Sequence, residues 1–277
     1  MTTKQITLTK DLLALCKAYT KENKNNDIAR QIFCDFERGK STITDAYKLL
    51  NIPNDNYLIQ QNKDTFEIVP SHIINHAIFN KYKKLLIGYN DETKEYEASF
   101  NNDFTDLACS YGIETSYPNV THLDTRFNYS IEFNVAIRNT GEHNAEQCYI
   151  KKELKRIKDY IAEQKLRKNP ISWELKDVYI ELLPNGKEII GKTACRKECD
   201  CPELFGKEVI IGYIGDCPNF DKKGYPLTQL LDSLEALSKL TNGTQATVHL
   251  DPSSNKTPIK ITTIEGSEAL IMPIRLA

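Results

Sequence analysis

The chain has 277 residues, of which 40% are hydrophobic and 27% charged, and its formal net charge at pH 7 is −2. This composition is typical of a globular protein long enough for two domains with separate cores, and it excludes a disordered tail. The apolar runs are far shorter than the roughly 20 residues that a membrane span needs. The N-terminus shows no signal-peptide pattern, so we expect a cytoplasmic protein with reduced thiols.

The first predicted helix follows Thr9, which suits an N-cap position, and it places Leu12, Leu13, Cys16 and Tyr19 on one face. The opposite face is basic. Four lysines form it: Lys10, Lys17, Lys21 and Lys24. A single face of this kind is usually a solvated surface, although it also suits contact with phosphates.

A second helix is predicted to start at Pro70, because proline is favoured in the first helical turn. Its core face would consist of Ile73, Ile74, Ala77 and Ile78, and its end is basic, with Lys81, Lys83 and Lys84. His72 and His76 lie four residues apart on this helix. Because no third ligand stands in register with them, we interpret them as ordinary helix residues.

The second half of the chain repeats this plan with a longer basic helix over 146–168. Its buried stripe would consist of Ile150, Leu154, Ile157 and Ile161, and a parallel lysine stripe of Lys151, Lys155, Lys158 and Lys165. A further helix starts at Pro226. Its inward residues would be Leu227, Leu230, Leu231, Leu234 and Leu237.

Alternation of apolar and polar residues predicts the strands. They cover 31–36, 84–89 and 96–100 in the first half, and 130–137, 178–183, 246–250 and 259–263 in the second. Each half is therefore expected to be an α+β module with two helices packed on one face of an antiparallel sheet. The modules would span 1–127 and 128–277, and the second would contain a cysteine-containing insertion at about 193–218.

Eight cysteines occur in the chain, and four of them cluster in or beside this insertion. Cys195, Cys199, Cys201 and Cys217 could enclose zinc tetrahedrally, or they could be incidental thiols of a polar loop. Their spacing matches no zinc motif, so we assign no metal and no cofactor. The chain also lacks a phosphate-cradling glycine run and a nucleophile or acid/base motif, so we expect no enzymatic activity.

Three dispersed segments carry a resemblance to a known family. They are LIMPIRLA at 270–277, ITDAYKL at 43–49, and YPN at 117–119 followed by Leu123. They resemble, in the same order, pocket segments of the bacterial β sliding clamp, the DNA polymerase III beta subunit. The resemblance covers essentially the whole chain, but the family has three domains where this chain has two. Its halves are similar to the middle and C-terminal domains of that subunit.

The resemblance implies a DNA-clamp fold and a processivity factor for DNA replication that encircles double-stranded DNA without reading its sequence. Two modules in each chain imply a homotrimer, because six modules close the ring. The lysines that would touch phosphates are Lys10, Lys17, Lys21, Lys24, Lys81, Lys84, Lys151, Lys155, Lys158 and Lys165.

The resemblance also implies a hydrophobic pocket that binds peptides of DNA polymerase and the clamp loader. Its walls would be Thr44, Ala46, Lys48, Leu49, Pro118, Leu123, Leu270, Met272, Pro273 and Ile274. Met272 suits such a site because its thioether adapts to several ligands. The chain departs from the family at Ala46, where glycine is usual, and at Lys48, where arginine is usual. Two alternatives stay open: these residues could be ordinary core residues, or the chain could be a non-ring adaptor that keeps only the pocket.

Overall fold

The computed structural model describes residues 2–8, 15, 18–19, 31–35, 39–53, 58–60, 72–75, 85–90, 95–99, 130–138, 145–169, 171–197, 204–215, 219–254, 256–274 and 276. The chain divides into two compact units, Met1–Asn119 and Val120–Ala277. The predicted module boundary at 127 lies outside the described residues. In the described part of the chain, no helix is long and apolar enough to cross a membrane.

Antiparallel strands make up most of what is described of the first unit. They are β1 (Thr2–Leu8), β2 (Gln31–Asp35), β3 (Lys40–Thr44), β4 (Lys48–Pro53), β5 (Leu58–Gln60), β6 (His72–Asn75), β7 (Leu85–Asn90) and β8 (Glu95–Ser99). Hydrogen bonds connect them in the orders β5-β1-β7-β8 and β6-β2-β3-β4. Of the first predicted helix, Leu15, Ala18 and Tyr19 are described as helical, and Leu15 and Tyr19 are buried.

The helix predicted from Pro70 is wrong at residues 72–75, which form strand β6 instead. β6 pairs with β2, and Ile74 lies opposite Ile32. The adjacent β-branched isoleucines fit a pleated strand at least as well as a helix. Apolar spacing over so few residues cannot distinguish a helix from a strand. Pairing with β2, about forty residues earlier in the chain, makes this segment a strand.

The second unit contains two four-stranded antiparallel groups, in the orders β12-β11-β10-β13 and β16-β15-β14-β9. The strands are β9 (Ile131–Ala136), β10 (Val178–Asn185), β11 (Glu188–Cys195), β12 (Glu208–Tyr213), β13 (Lys223–Pro226), β14 (Gln245–Leu250), β15 (Ile259–Thr262) and β16 (Glu268–Ile271). In β9 the alternation is regular, because Ile131, Phe133 and Val135 are buried while Glu132 and Asn134 are exposed. The predicted strands at 130–137, 178–183, 246–250 and 259–263 are confirmed, because they coincide with β9, β10, β14 and β15.

Two helices pack on the strands of this unit: α1 (Ala145–Leu166) and α2 (Leu227–Leu240). α1 contacts β9, β12 and α2, whereas α2 contacts β10, β13 and β16. Both helices are confirmed with their predicted buried faces: Ile150, Leu154 and Ile157 in α1, and Leu227, Leu230, Leu231, Leu234 and Leu237 in α2. Ile161, predicted to be buried, is half-buried.

The segment interpreted as an insertion at about 193–218 is in part a regular element of the sheet. β11 extends to Cys195, and residues Glu208–Tyr213 form β12, which pairs along β11. Sequence periodicity predicts neither strand, because Glu208 and the glycines Gly191 and Gly212 interrupt their apolar pattern. A Cβ atom at Gly212 would come within 2.2 Å of the Phe133 ring, so packing requires glycine at this position. Glycine is uncommon inside strands, which is why the sequence pattern does not indicate one here.

Candidate functional site

The first group of predicted pocket residues lies in the tight turn between β3 and β4. Thr44 donates its hydroxyl hydrogen to the Lys48 carbonyl oxygen over 2.8 Å. Asp45 accepts hydrogen bonds from the backbone N–H groups of Tyr47 and Lys48 over 3.0 and 2.9 Å. The Thr-Asp pair thus satisfies the backbone of its own turn, which is a common use of these side chains.

Ala46 occupies the tip of this turn in a left-handed conformation, with φ at 77°. A side chain is strained there, and glycine is the residue that usually accepts it. Ala46 and Tyr47 are both exposed, and Tyr47 is 59% exposed. The turn therefore presents a strained backbone and an aromatic ring on the surface of the first unit.

Lys48 is buried, with 1% of its surface exposed. Its ammonium nitrogen lies 3.9 Å from an oxygen of the Asp45 carboxylate and 4.6 Å from the centre of the Tyr19 ring. Tyr19 in turn donates its hydroxyl hydrogen to the Leu49 carbonyl oxygen over 3.1 Å. These contacts stabilise the base of the turn against the first helical segment, and Lys48 and Leu49 contribute buried structure rather than exposed surface.

The second group of predicted pocket residues lies at the end of β16. Leu270 is buried within the strand, Met272 is 38% exposed, and Pro273 is half-buried. Ile274 is buried again, and its backbone N–H donates a hydrogen bond of 2.9 Å to the Gly224 carbonyl oxygen. The chain therefore leaves one sheet after Ile271, exposes Met272, and rejoins the other sheet at β13.

Gly224 is required for this crossing. A Cβ atom at its position would lie 2.7 Å from a methyl carbon of Leu276 and 2.8 Å from a side-chain carbon of Ile274. Contacts this short do not occur between real carbon atoms without displacement. The C-terminal residues thus pack directly on the backbone of β13.

Two further polar side chains were given no role from the sequence: Lys223 in β13 and Gln229 in α2. Lys223 is buried, and its ammonium donates to the Ser254 carbonyl oxygen over 2.6 Å. Burial lowers the pKa of Lys223, although Asp251 and Asp221 oppose the shift. Gln229, in the first turn of α2, has a buried side-chain oxygen without a hydrogen-bond partner among the described residues. No sequence signal marks the burial of Lys223, since lysine is ordinarily exposed.

Pro118 and Leu123, the remaining predicted pocket residues, lie outside the described residues. Thr44, Ala46, Lys48 and Leu49 come together in the first unit, and Leu270, Met272, Pro273 and Ile274 in the second.

The basic helix of the second unit is α1. Lys155, Lys158 and Lys165 are exposed on it, as is Lys152. Lys151 lies on the same helix, and nothing more than its backbone is described. Arg156 differs from the lysines, because its guanidinium pairs with the buried Glu153 carboxylate over 2.5 Å and also donates to the Leu204 carbonyl oxygen. Lys152, Lys155, Lys158 and Lys165 are therefore cations of this helix that an anion can reach.

The other lysines predicted to face DNA lie outside the described residues: Lys10, Lys17, Lys21, Lys24, Lys81 and Lys84. Cys199, Cys201 and Cys217 lie outside them as well, while Cys195 is half-buried at the end of β11. Among the residues that the structure describes, no three His, Cys, Asp or Glu side chains are grouped as metal ligands.

No protein-family model and no curated protein matches the chain. Solved structures of bacterial sliding clamps match it along nearly its full length. The DNA polymerase sliding clamp of Caulobacter crescentus has a TM-score of 0.57 at 12% identity over 99% of this chain. The Helicobacter pylori beta clamp bound to a DNA ligase peptide has a TM-score of 0.55 at 15% identity, also over 99%. The chain spans 65% of the length of the Caulobacter clamp and 66% of that of the Helicobacter clamp.

Proposed function

We propose that this chain, whose fold is that of the bacterial DNA polymerase III beta sliding clamps, is a two-module DNA sliding clamp. It would encircle duplex DNA without sequence preference and tether polymerase and other replication or repair proteins through a peptide-binding pocket. The observation that carries this proposal is that the clamp fold extends over 99% of the chain rather than over a single module. The action is mechanical: the protein holds partners near DNA and transforms no substrate.

The DNA contacts of the proposal come from lysine side chains on helices. Lys155, Lys158 and Lys165 are exposed along α1, and long flexible cations of this kind bind phosphate oxygens without reading bases. Such contacts exchange easily as DNA moves past them. The polar face of α2 contributes little, since it offers Asp232 and Glu235 against Lys239.

The peptide pocket of the proposal is assigned to the C-terminal crossing of the second unit, where Leu270, Met272, Pro273 and Ile274 lie. Its exposed members supply the contact surface, above all Met272. Its buried members Leu270 and Ile274 hold the crossing in place. We assign the β3–β4 turn of the first unit, with Thr44, Ala46, Lys48 and Leu49, to peptide contact as well. An unbranched thioether at an exposed edge suits a site that receives several different peptides.

Ring closure requires association between copies of the chain. Within the described residues, β8 ends one sheet of the first unit and β12 ends one sheet of the second. Exposed edge strands carry unpaired backbone groups that readily accept another strand. We therefore assign the head-to-tail contact to β8 of one copy and β12 of the next, and three such contacts close a ring of six modules.

The mass in solution tests the ring. Light scattering coupled to size exclusion, measured across a dilution series, should find a species near three times the 31.7 kDa chain mass. A protein that stays monomeric at high concentration would refute the autonomous ring. The adaptor function would then be preferred, because a chain that spans two thirds of a clamp can keep the pocket without encircling DNA.

The pocket is tested with a fluorescent peptide rich in leucine and phenylalanine. Met272→Glu should abolish binding while the oligomer persists, because a carboxylate would then face apolar ligand groups. Ile264→Glu is the matched control, since Ile264 is 90% exposed in the same unit and lies outside the proposed pocket. Equal binding by both variants would show that Met272 lines no pocket.

A further inference from the structure

A second concave site lies on the second unit, between the last half of α1 and the segment that leads into β10. It is a cavity of about 520 Å³ lined by Lys158, Ile161, Lys165, Ile171, Trp173, Glu174, Leu175 and Lys176. This volume is within the range of small ligand sites. Its wall is largely apolar, and its rim carries three ammonium groups and one carboxylate.

Aromatic packing holds the wall of this cavity rigid. Trp173 is 2% exposed and stacks on Tyr160, with ring centres 6.2 Å apart and planes inclined by 9°. The Phe205 ring packs edge-on against the same indole, with ring centres 5.4 Å apart. Such paired rings fix the indole from two sides, so the cavity is preformed and a ligand need not order it.

The charge available at the rim is positive. Glu174 pairs with Lys176 over 2.9 Å, and the nearby Asp177 pairs with Lys197 over 3.1 Å. Lys158 and Lys165 are exposed and have no ion-pair partner in the part of the chain that the structure describes. The carboxylates are thus already neutralised, whereas two cations on one flank of α1 are free to bind an anion.

We propose that this cavity is a second protein-docking site, which receives an acidic peptide segment with an aliphatic side chain at its centre. The aliphatic group would occupy the space beside Ile161, Ile171 and Trp173, and flanking carboxylates would pair with Lys158 and Lys165. Lys158 and Lys165 are also proposed to bind DNA phosphates, so peptide and duplex would compete for them; the apolar wall favours the peptide, because the DNA backbone offers it no apolar group. The inference does not depend on ring formation or on the pocket at Met272.

Trp173 allows a direct test, because it is the one tryptophan of the chain and its emission therefore reports on this cavity alone. The probe is the blocked hexapeptide acetyl-DEIVDE-amide, titrated into the full-length protein. A saturable change in emission is expected. The double variant Lys158→Glu and Lys165→Glu should weaken binding at least tenfold, because both cations would become repulsive.

A matched control carries Lys187→Glu and Lys239→Glu, which make the same change in net charge at exposed positions elsewhere on the unit. This control should bind the probe as the wild type does. The proposal is overturned if the emission does not saturate, or if both double variants bind equally well. It is also overturned if acetyl-DEGGDE-amide binds as tightly as the probe, since the apolar wall would then contribute nothing and the cavity would be a simple anion groove.

Discussion

The backbone N–H of Ile274 donates a 2.9 Å hydrogen bond to the carbonyl oxygen of Gly224, which joins the last residues of the chain to strand β13. This contact places Met272 on a bridge between two sheets of the second unit. Ile274 and Leu276 pack on the bare backbone of Gly224, which keeps the bridge close to β13. The position of the proposed pocket wall therefore depends on a glycine far from it in sequence.

Gly224→Ala should displace the C-terminal segment. The added methyl would come within 2.8 Å of Ile274 and 2.7 Å of Leu276, and overpacking of this kind costs about 1–3 kcal/mol. We expect a lower midpoint of urea unfolding and weaker binding of the fluorescent peptide rich in leucine and phenylalanine. Gly215→Ala is the control, since no atom of the described residues lies within 4 Å of its added methyl. Equal behaviour of the two variants would contradict a close contact at Gly224.

Ala46→Gly should stabilise the first unit by roughly 0.5–1 kcal/mol, because glycine accepts positive φ while alanine is strained there. Thermal unfolding monitored by circular dichroism measures the effect. Ala46→Val should have the opposite sign, since a β-branched residue fits this conformation worst. A lower melting temperature for the glycine variant would mean that the turn does not adopt the left-handed conformation.

Lys155→Ala should weaken duplex binding about equally for unrelated sequences. If Lys155 touches a phosphate, its loss reduces the slope of log affinity against log salt by about one unit. Fluorescence anisotropy with two unrelated duplexes at several salt concentrations provides the measurement. Lys239→Ala, on the less basic α2, should leave the slope unchanged. A change confined to one of the two sequences would argue against a phosphate contact.

Asp251 should make the second unit sensitive to acid. Burial would raise the pKa of Asp251, but hydrogen bonds from Ser253 and Thr257 and the charge of Lys223 outweigh burial and lower the pKa. A carboxylate whose folded pKa lies below its unfolded pKa contributes stability above the unfolded value, and that contribution is lost as the pH falls through the folded value.

The stability difference between wild type and Asp251→Asn should therefore be constant above about pH 5 and shrink below about pH 4, near the ordinary aspartate pKa. Urea unfolding across a pH series measures it. Ser253→Ala removes one of the hydroxyl donors to Asp251 and should show a smaller difference over the same pH range. A difference that does not depend on pH would show that Asp251 is not preferentially ionised in the folded state.

Much of the second unit could be predicted from the sequence. The helices α1 and α2 carry apolar residues at helical spacing over many turns, and β9 and β14 alternate cleanly. The segments predicted to form the pocket rest on three short matches to a known family. Each of these signals is local, because helical and strand periods are properties of consecutive residues.

Tertiary structure decided what depends on distant partners. Residues 72–75 form a strand because β2 pairs with them. Residues Glu208–Tyr213 form β12 because β11 pairs with them. Lys48 is buried because the Tyr19 ring, about thirty residues earlier, lies beside its ammonium. Ile274 is fixed because Gly224 leaves room for it. These outcomes follow from contacts between residues far apart in the chain, and no periodicity within a short segment contains them.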